Sequence, residues 1–445
     1  MKVSLVQLVN YYKDNDGIKI KEVIIKRKKY TVFYIESLID LIELEKNYLP
    51  KLEEIILNKD THKNILSLEE LKINSIGDVD RKIYSGFVCI YDGKKMYNFK
   101  LAKIPKRTPA PSVNDITTIG AQDCFVEDID TNTGLLMYRY KNNNLKIYET
   151  EIGVKTKTRA CIVYLDKTID KNLLEEVKSR VEKLKVSSAI NIADIEDQLV
   201  NTNKKSLLPL INTIYKPDYC ISSLEKGKFV IFIDGIPIGL VGPTTLESII
   251  SLHYSMQENK FTNMFEKGLT YICLFVAVFL GGLIVALVSY HPDFIPYLLL
   301  SNIYGGSKGI FLPFAIQMPI AELCFQMFRL AGSKLPSHLG SSIIILGSLV
   351  VSRIGVETGL FAPLVLISIS LILICTYAIS NNNSFNIGFS LARLFIGFMS
   401  LFWGLIGFAF SSLIVLIYLS SLDSFGVPYL YPFAPLKLNK KKGEN

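Results

Sequence analysis

The chain has 445 residues, a net charge of +8 and 20% charged side chains, which is long enough for two or three domains. Its lysines are interspersed with nearly as many acids and form no basic stripe with interleaved aromatics, which argues against a nucleic-acid surface. The seven cysteines (Cys89, Cys124, Cys161, Cys220, Cys273, Cys324, Cys375) are scattered, odd in number and free of any CxxC pair, so neither a disulfide framework nor a zinc site is expected.

The charges are concentrated in the first half. The opening run, MKVSLVQLVNYYKDND, has no apolar core followed by a small-residue cleavage site, so no secretory signal is expected and the N-terminal half is placed on the cytoplasmic side. Tyr30 to Ile35 predicts a strand and Leu38 to Leu57 a helix with acids and lysines on its polar face. GFVCIYDGKKMYNFKL predicts a hairpin that turns at Asp92-Gly93. The same order returns later. Ala160 to Leu165 predicts a strand, Asn172 to Leu184 an amphipathic helix, and KFVIFIDGIPIGLV a hairpin that turns at Asp234-Gly235. This repetition predicts two copies of one α/β unit; two unrelated small α/β domains would give the same pattern.

Between the copies, Pro105, Pro109 and Pro111 make Lys103 to Val113 an extended linker. The acidic cluster Asp123, Glu127, Asp128 and Asp130 follows. Clustered oxygens suit a hard cation, but the loop lacks the glycine and terminal glutamate of a calcium-binding helix–loop–helix. A helix start or a subunit contact through Glu127, Asp128 and Asp130 is the favoured reading. Leu135 to Tyr140 reads as a short strand or helix end, and Leu246 to Phe265 as a surface helix.

Leu269 to Tyr290 carries no charge and has about the ~20 apolar residues that cross a bilayer core. From there the chain is mostly apolar to Leu422. Phe294 to Tyr304 and Phe311 to Leu330 are interrupted by Pro296, Gly305, Gly306, Pro313 and Pro319. They are re-entrant or interfacial candidates, or helices packed inside a bundle. Ser341 to Val351 is a further core segment and Leu360 to Ser380 a spanning candidate. Ile387 to Leu422 is longer than one crossing needs, so it is one tilted helix or a tight hairpin. Trp403 lies well inside this run and reads as an interface marker or as packed within the bundle. Basic residues before the first crossing, and Lys437, Lys440, Lys441 and Lys442 at the end, favour an even number of crossings, about four full spans plus one re-entrant pair.

No catalytic motif stands out. There is no GxGxxG, Walker loop or GxSxG, and His62, His253, His291 and His338 form no ligand-spaced pair. No enzyme activity, cofactor or metal is expected. The informative residues are the ionisable ones in or near the apolar half. A charge at membrane depth costs about 2.5–3.5 kcal/mol on insertion scales, so it faces a partner or water. Glu322, Arg353, Glu357 and Arg393, with Ser348 and Ser352, are candidate pore or gating residues. Arg353 and Glu357 are four apart, on one face of a helix; the competing reading is that they anchor a helix end at the interface.

Several longer motifs carry a resemblance. FVEDIDTN (Phe125 to Asn132), KTKTRACIVYL, YKPDY at Tyr215, GKFVIFIDGIPIGLVGPTT, HPDFIP at His291, RLAGSKLPSHLGSSIIILGSLVVSRIGVETGLFAP and SFGVPYLYPFAP occur in this order. Together they resemble the A subunits of GerA-type nutrient germinant receptors of endospore-forming bacteria, from about Ala121 to Pro435. The chain departs from the family pattern at Leu330, at Arg353-Ile354-Gly355 and at Ala362-Pro363, where the family has Glu, Gln-Ala-Ala and Ser-Pro. The resemblance implies a multi-pass protein of the spore inner membrane, working with a transporter-like B subunit and a lipoprotein C subunit. It also implies a homo-oligomer whose membrane part conducts ions when nutrient binds. SpoVAF, a germination-amplifying relative, shares these motifs, and a solute transporter is the alternative from another class.

The expected architecture is an α/β cytosolic region of two similar subdomains plus a polytopic α-helical transmembrane domain. Its expected parts are residues 1–104 (first subdomain), 105–122 (linker), 123–260 (second subdomain), 261–430 (helical membrane domain) and 431–445 (basic tail).

Overall fold

The computed structural model describes residues 5–431 apart from 26–27, 51–68, 72–75, 93–94, 104–122, 154–155, 185–191, 201–205, 252–259, 334–346, 348–352 and 381. The expected proline-rich linker and the segment Ser341 to Val351 lie outside the described residues, except Lys103 and Gly347. The chain divides into two compact units. One comprises residues 1–203, 210–244 and 424–426; the other comprises 204–209, 245–423 and 427–445.

The first unit contains two five-stranded sheets. After helix α1 (Leu5–Tyr12) come β1 (Lys19–Ile25), β2 (Lys28–Tyr34), β3 (Glu69–Leu71), α2 (Ile76–Ile83), β4 (Phe87–Tyr91) and β5 (Met96–Lys100). The second sheet follows α3 (Ile129–Tyr140). It has β6 (Leu145–Ile152), β7 (Thr158–Leu165), α4 (Lys171–Glu182), α5 (Ile192–Val200), β8 (Asn212–Ile214), α6 (Pro217–Glu225), β9 (Phe229–Ile233) and β10 (Gly239–Gly242). The strand orders are β1-β2-β4-β5-β3 and β6-β7-β9-β10-β8. Each sheet therefore places its third strand outside the closing hairpin, and the two share one topology. The strand pairs are antiparallel. The strands at the sheet centres are apolar on both faces: all five residues of FVIFI in β9 are buried, as expected of a sheet covered on both sides.

The two hairpins form where Asp-Gly predicts them. Tyr91 pairs with Met96, and the Asp92 carboxylate accepts from Lys95 N at 2.8 Å. In the second, Gly235 takes φ +84°, a left-handed conformation that suits glycine. The expected helix from Leu38 to Leu57 is not continuous. Ile39 is bridged to Ala102, which stops the 3-10 turn Glu36–Leu38. Asp40 then caps a single α turn, Leu41–Glu43, that widens into a π turn, Leu44–Tyr48. Tyr48 stacks on Phe99 of β5 at 5.1 Å, so packing against the sheet overrides helical continuity. Residues 51–57 lie outside the described region.

Polar contacts join the two halves of this unit. Asn15 donates to Asn143 Oδ1 and to Leu145 O, both at 3.0 Å, and Asn143 donates to Tyr11 O at 2.6 Å. Nearby, Asp80 on α2 accepts from Tyr12 at 2.6 Å and Tyr11 at 3.2 Å. Burial pushes its carboxyl pKa up in spite of these donors. The tripeptide Ser424-Phe425-Gly426 is also packed in this unit. Ser424 Oγ donates to Leu210 O at 2.6 Å and accepts from Thr244 N at 3.0 Å. Phe425 meets Phe229 edge-on and lies under the Arg180 guanidinium at 4.7 Å.

The second unit is helical: α7 (Leu246–Ser251), α8 (Lys260–Tyr290), α9 (Tyr297–Gly306), α10 (Phe314–Ser333), α11 (Pro363–Ile379) and α12 (Asn383–Ser421). Among the described residues, Phe261–Tyr290 and Ser384–Ser421 are long and apolar enough to cross a membrane, with mean hydropathy 2.8 and 2.2. Of the two readings of Ile387 to Leu422, the structure selects the hairpin. Gly404 interrupts the helix at φ 56°, ψ −131°. Leu207 touches both ends: its N–H donates to Tyr418 Oη at 2.8 Å, and its carbonyl lies against Gly388. A straight helix would hold residues 388 and 418 about 45 Å apart. Limbs 383–403 and 405–421 therefore run antiparallel.

Trp403 sits at this turn and is 64% exposed, so it is not packed within the bundle. Tyr290, at the end of α8, fixes the turn from outside by donating to Leu401 O. A Cβ on Gly404 would come within 2.8 Å of the Tyr290 ring. The backbone angles there are also in a region nearly restricted to glycine, worth about 1–3 kcal/mol of strain for another residue. Gly404→Ala is therefore expected to lower the thermal midpoint of the detergent-solubilised protein by several degrees. A midpoint equal to the parent's would mean that the turn does not require glycine.

Candidate functional site

An ion pair lies inside the helical unit. Arg393, on the first limb of α12, donates through Nη2 to Glu322 Oε1 of α10, and their side chains are only 4% and 5% exposed. Arg393 Nη1 donates to Ala277 O of α8 at 2.7 Å and lies 3.4 Å from Thr376 Oγ1 of α11. Glu322 Oε1 also accepts from Gln326 Nε2 at 2.8 Å and Ser390 Oγ at 3.1 Å. One carboxylate and one guanidinium thus engage four helices.

The sequence around the pair explains how the helices come close enough. Gly281 faces the Arg393 stem; a Cβ there would lie 3.6 Å from its Cγ. At Gly282 a Cβ would come within 2.5 Å of Ile396 and 3.0 Å of Ser400. Small residues at these positions let α8 and the first limb approach backbone to backbone. Residue numbers rise together along these two helices, so they are parallel. Glu322 meets Arg393 while Gln326 meets Ser390, so α10 runs against the first limb of α12.

Desolvating two charges costs several kcal/mol per ion, and the attraction offsets this only where the other lone pairs and protons are also satisfied. Here three donors converge on one carboxylate oxygen. That oxygen, Oε1, is occupied rather than available as a base or ligand. Among the described residues no group of three His, Cys, Asp or Glu side chains is placed to hold a metal.

The other sequence-expected residues are dispersed. Arg353 Nε and Glu357 Oε1 do pair, at 3.0 Å, but the side chains are 77% and 61% exposed. Ser348 and Ser352 lie outside the described residues. In the first unit, Asp128 caps α3 by accepting from Thr131 N at 2.8 Å, and Asp130 forks onto Arg159 through two 2.9 Å bonds. Glu127 contributes its carbonyl to Gly235 N at 2.8 Å. Asp123 pairs with Arg139, which also engages Asp218. Gln326, Ser390, Thr376 and Ala277 were not anticipated. A signal was available for two of them, since Gln326 follows Glu322 by four residues and Ser390 precedes Arg393 by three, on the same helical faces.

Residues 6–443 match the model of the Bacillus/Clostridium GerA spore germination protein. The chain belongs to the GerA family. It is 28% identical over 415 residues to spore germination protein XA of Bacillus anthracis, covering 90% of this chain and 83% of that protein. It is 24% identical over 425 residues to spore germination protein A1 of Bacillus subtilis strain 168, covering 94% and 88%. An uncharacterized membrane protein of that strain, YfkQ, is 28% identical over 421 residues, covering 92% and 81%. Among solved structures, the N-terminal domain of the A subunit of the Bacillus megaterium spore germinant receptor GerK3 is similar at 20% identity and a TM-score of 0.39. That match covers 54% of this chain and 92% of the other.

Removing one partner of a buried pair leaves an uncompensated charge, at a cost of about 3–5 kcal/mol, whereas replacing both with apolar residues of similar volume is often neutral. Glu322→Ala and Arg393→Met are each expected to reduce the amount of folded protein in the membrane, and the double replacement Glu322→Met/Arg393→Met to restore it. Size-exclusion profiles in detergent distinguish these results. Single variants that behave like the parent would show that the pair is not what holds the four helices together.

Proposed function

We propose that this chain is the A subunit of a nutrient germinant receptor of the spore inner membrane. It acts with a transporter-like B subunit and a lipoprotein C subunit. Copies of the chain oligomerise, and their helical units form a nutrient-gated ion path. The observation that carries the reading is the charged layer at Glu322 and Arg393 within helices whose outer faces are apolar. Such a layer is expensive in a membrane and is characteristic of ion and substrate pathways.

In this reading the helical unit crosses the membrane an even number of times, with α8 and the two limbs of α12 among the crossings, and the first unit, which also holds Ser424 to Gly426, faces the spore core. Exposed Phe398, Phe402, Ile406, Phe410 and Ile417 are the lipid-facing or subunit-facing surface. The pair itself is closed to solvent, so it acts on the ion path by fixing the helix arrangement that gating must change.

A non-catalytic role fits the thiols of the first unit. Burial pushes Cys89 up to about 12 and raises Cys161 and Cys220 well above the ordinary range. They are inert as nucleophiles at neutral pH. The alternative is a germination-amplifying channel of the SpoVAF type, whose sequence shares the motifs of the receptor subunits.

Potassium release after a panel of amino acids and salts tests both readings, in spores lacking the chain and in spores carrying the folded Glu322→Met/Arg393→Met variant. The receptor reading expects loss of early release for one nutrient with others intact, and the double variant to behave like the deletion. Slower release for every nutrient would identify the amplifier. Unchanged release in both strains, with paralogues deleted, would remove the ion-path proposal; normal release in the double variant alone would remove the pair from it.

A further inference from the structure

A cavity lies against the buried pair, lined by Gly281, Val285, Met318, Glu322, Arg393 and Gly397 among others. About 20 Å³ of it is open to the centre of a water-sized sphere. One water needs about 10–15 Å³ on that measure, together with two to four polar partners.

The pair supplies two polar atoms that make no hydrogen bond among the described residues. Arg393 Nε is buried and has no hydrogen-bond partner among the described residues. Every hydrogen bond to Glu322 lands on Oε1; Oε2 takes none among the described residues. Leaving such atoms unpaired in an apolar setting is costly.

The chemistry of these two atoms selects the occupant. A cation in the cavity would face a guanidinium, and an anion would face a carboxylate. The other lining groups, Val285, Met318, Ile369 and Ile372, offer no side-chain ligand to either. A neutral molecule that accepts one hydrogen bond and donates another matches both atoms, and the volume admits one molecule of water size. We infer that a single water binds here, accepting from Arg393 Nε and donating to Glu322 Oε2. It completes the polar layer that joins α8, α10, α11 and α12, and the inference stands whether or not the helices conduct ions.

Gly397 gives the test, because it lines the cavity and a methyl group there would take up part of its volume. Gly397 is buried, yet a Cβ built there meets nothing within 4 Å. Gly268 of α8 is also clear within 4 Å, but it is exposed and does not line the cavity. Gly268→Ala reports the helix-propensity gain alone, since alanine favours helix over glycine. In the full-length protein in detergent, Gly268→Ala is expected to raise the thermal midpoint slightly.

Gly397→Ala is expected to lower the midpoint below the parent's by about 2–4 °C, because the methyl takes cavity volume that the water needs and so leaves the two atoms unpaired. A Gly397→Ala midpoint at or above the parent's would overturn the proposal, since filling a dry cavity stabilises. A high-resolution map of the parent supplies a second readout. A peak within hydrogen-bond distance of Arg393 Nε and Glu322 Oε2 is expected, lost in Gly397→Ala; no peak in the parent, or a peak that contacts neither atom, would also overturn it.

Discussion

A guanidinium buried among apolar helices must be neutralised and hydrogen-bonded where it lies, and in this protein that requirement falls on Arg393. Its partners come from three other helices, so α12 cannot slide past any of them without breaking a bond to the guanidinium. Gly281 and Gly282 follow from the same constraint. Larger residues would push α8 away from the first limb of α12 and take Ala277 O out of reach. The hairpin is set separately, by the non-helical backbone of Gly404. Tyr290 and Leu207 hold the hairpin from its two ends, so its register against α8 is fixed above and below the charged layer.

This arrangement holds the helical unit by a contact that is either made or broken, since a buried ion pair has two distinct conditions. An element with two discrete conditions is what a ligand needs in order to shift a population. The exposed pair Arg353–Glu357 lacks this property. Solvated i,i+4 pairs are worth only about 0.3–0.5 kcal/mol, too little to hold or release a helix bundle.

What the sequence made legible differs between the two units for a physical reason. Strand alternation, Asp-Gly turns and amphipathic helices are local patterns, so the repeated strand–helix–hairpin order could be read in advance and the shared topology of the two sheets agrees with it. The segment after Leu38 was misread because Asp40 and the Ile39–Ala102 bridge override a helical pattern that looks continuous. In the helical unit, Glu322 and Arg393 were recognisable one at a time because a charge in an apolar run is conspicuous. Their pairing was not, because 71 residues separate them and hydropathy carries no information about which helix faces which. Trp403 was ambiguous for a related reason. Its position in the middle of a long apolar run suggests burial until Gly404 is known to reverse the chain there.

Glycines show how position decides the meaning of one residue type. Gly268 lies on an open helix face, where alanine would do as well. Gly282 sits where an added methyl would strike Ile396, and Gly404 where both its backbone angles and the Tyr290 ring exclude a side chain. The sequence presents these residues alike, as glycines within apolar helices. Their separate roles follow from what stands opposite each one, and that is set by the charged layer that aligns the helices.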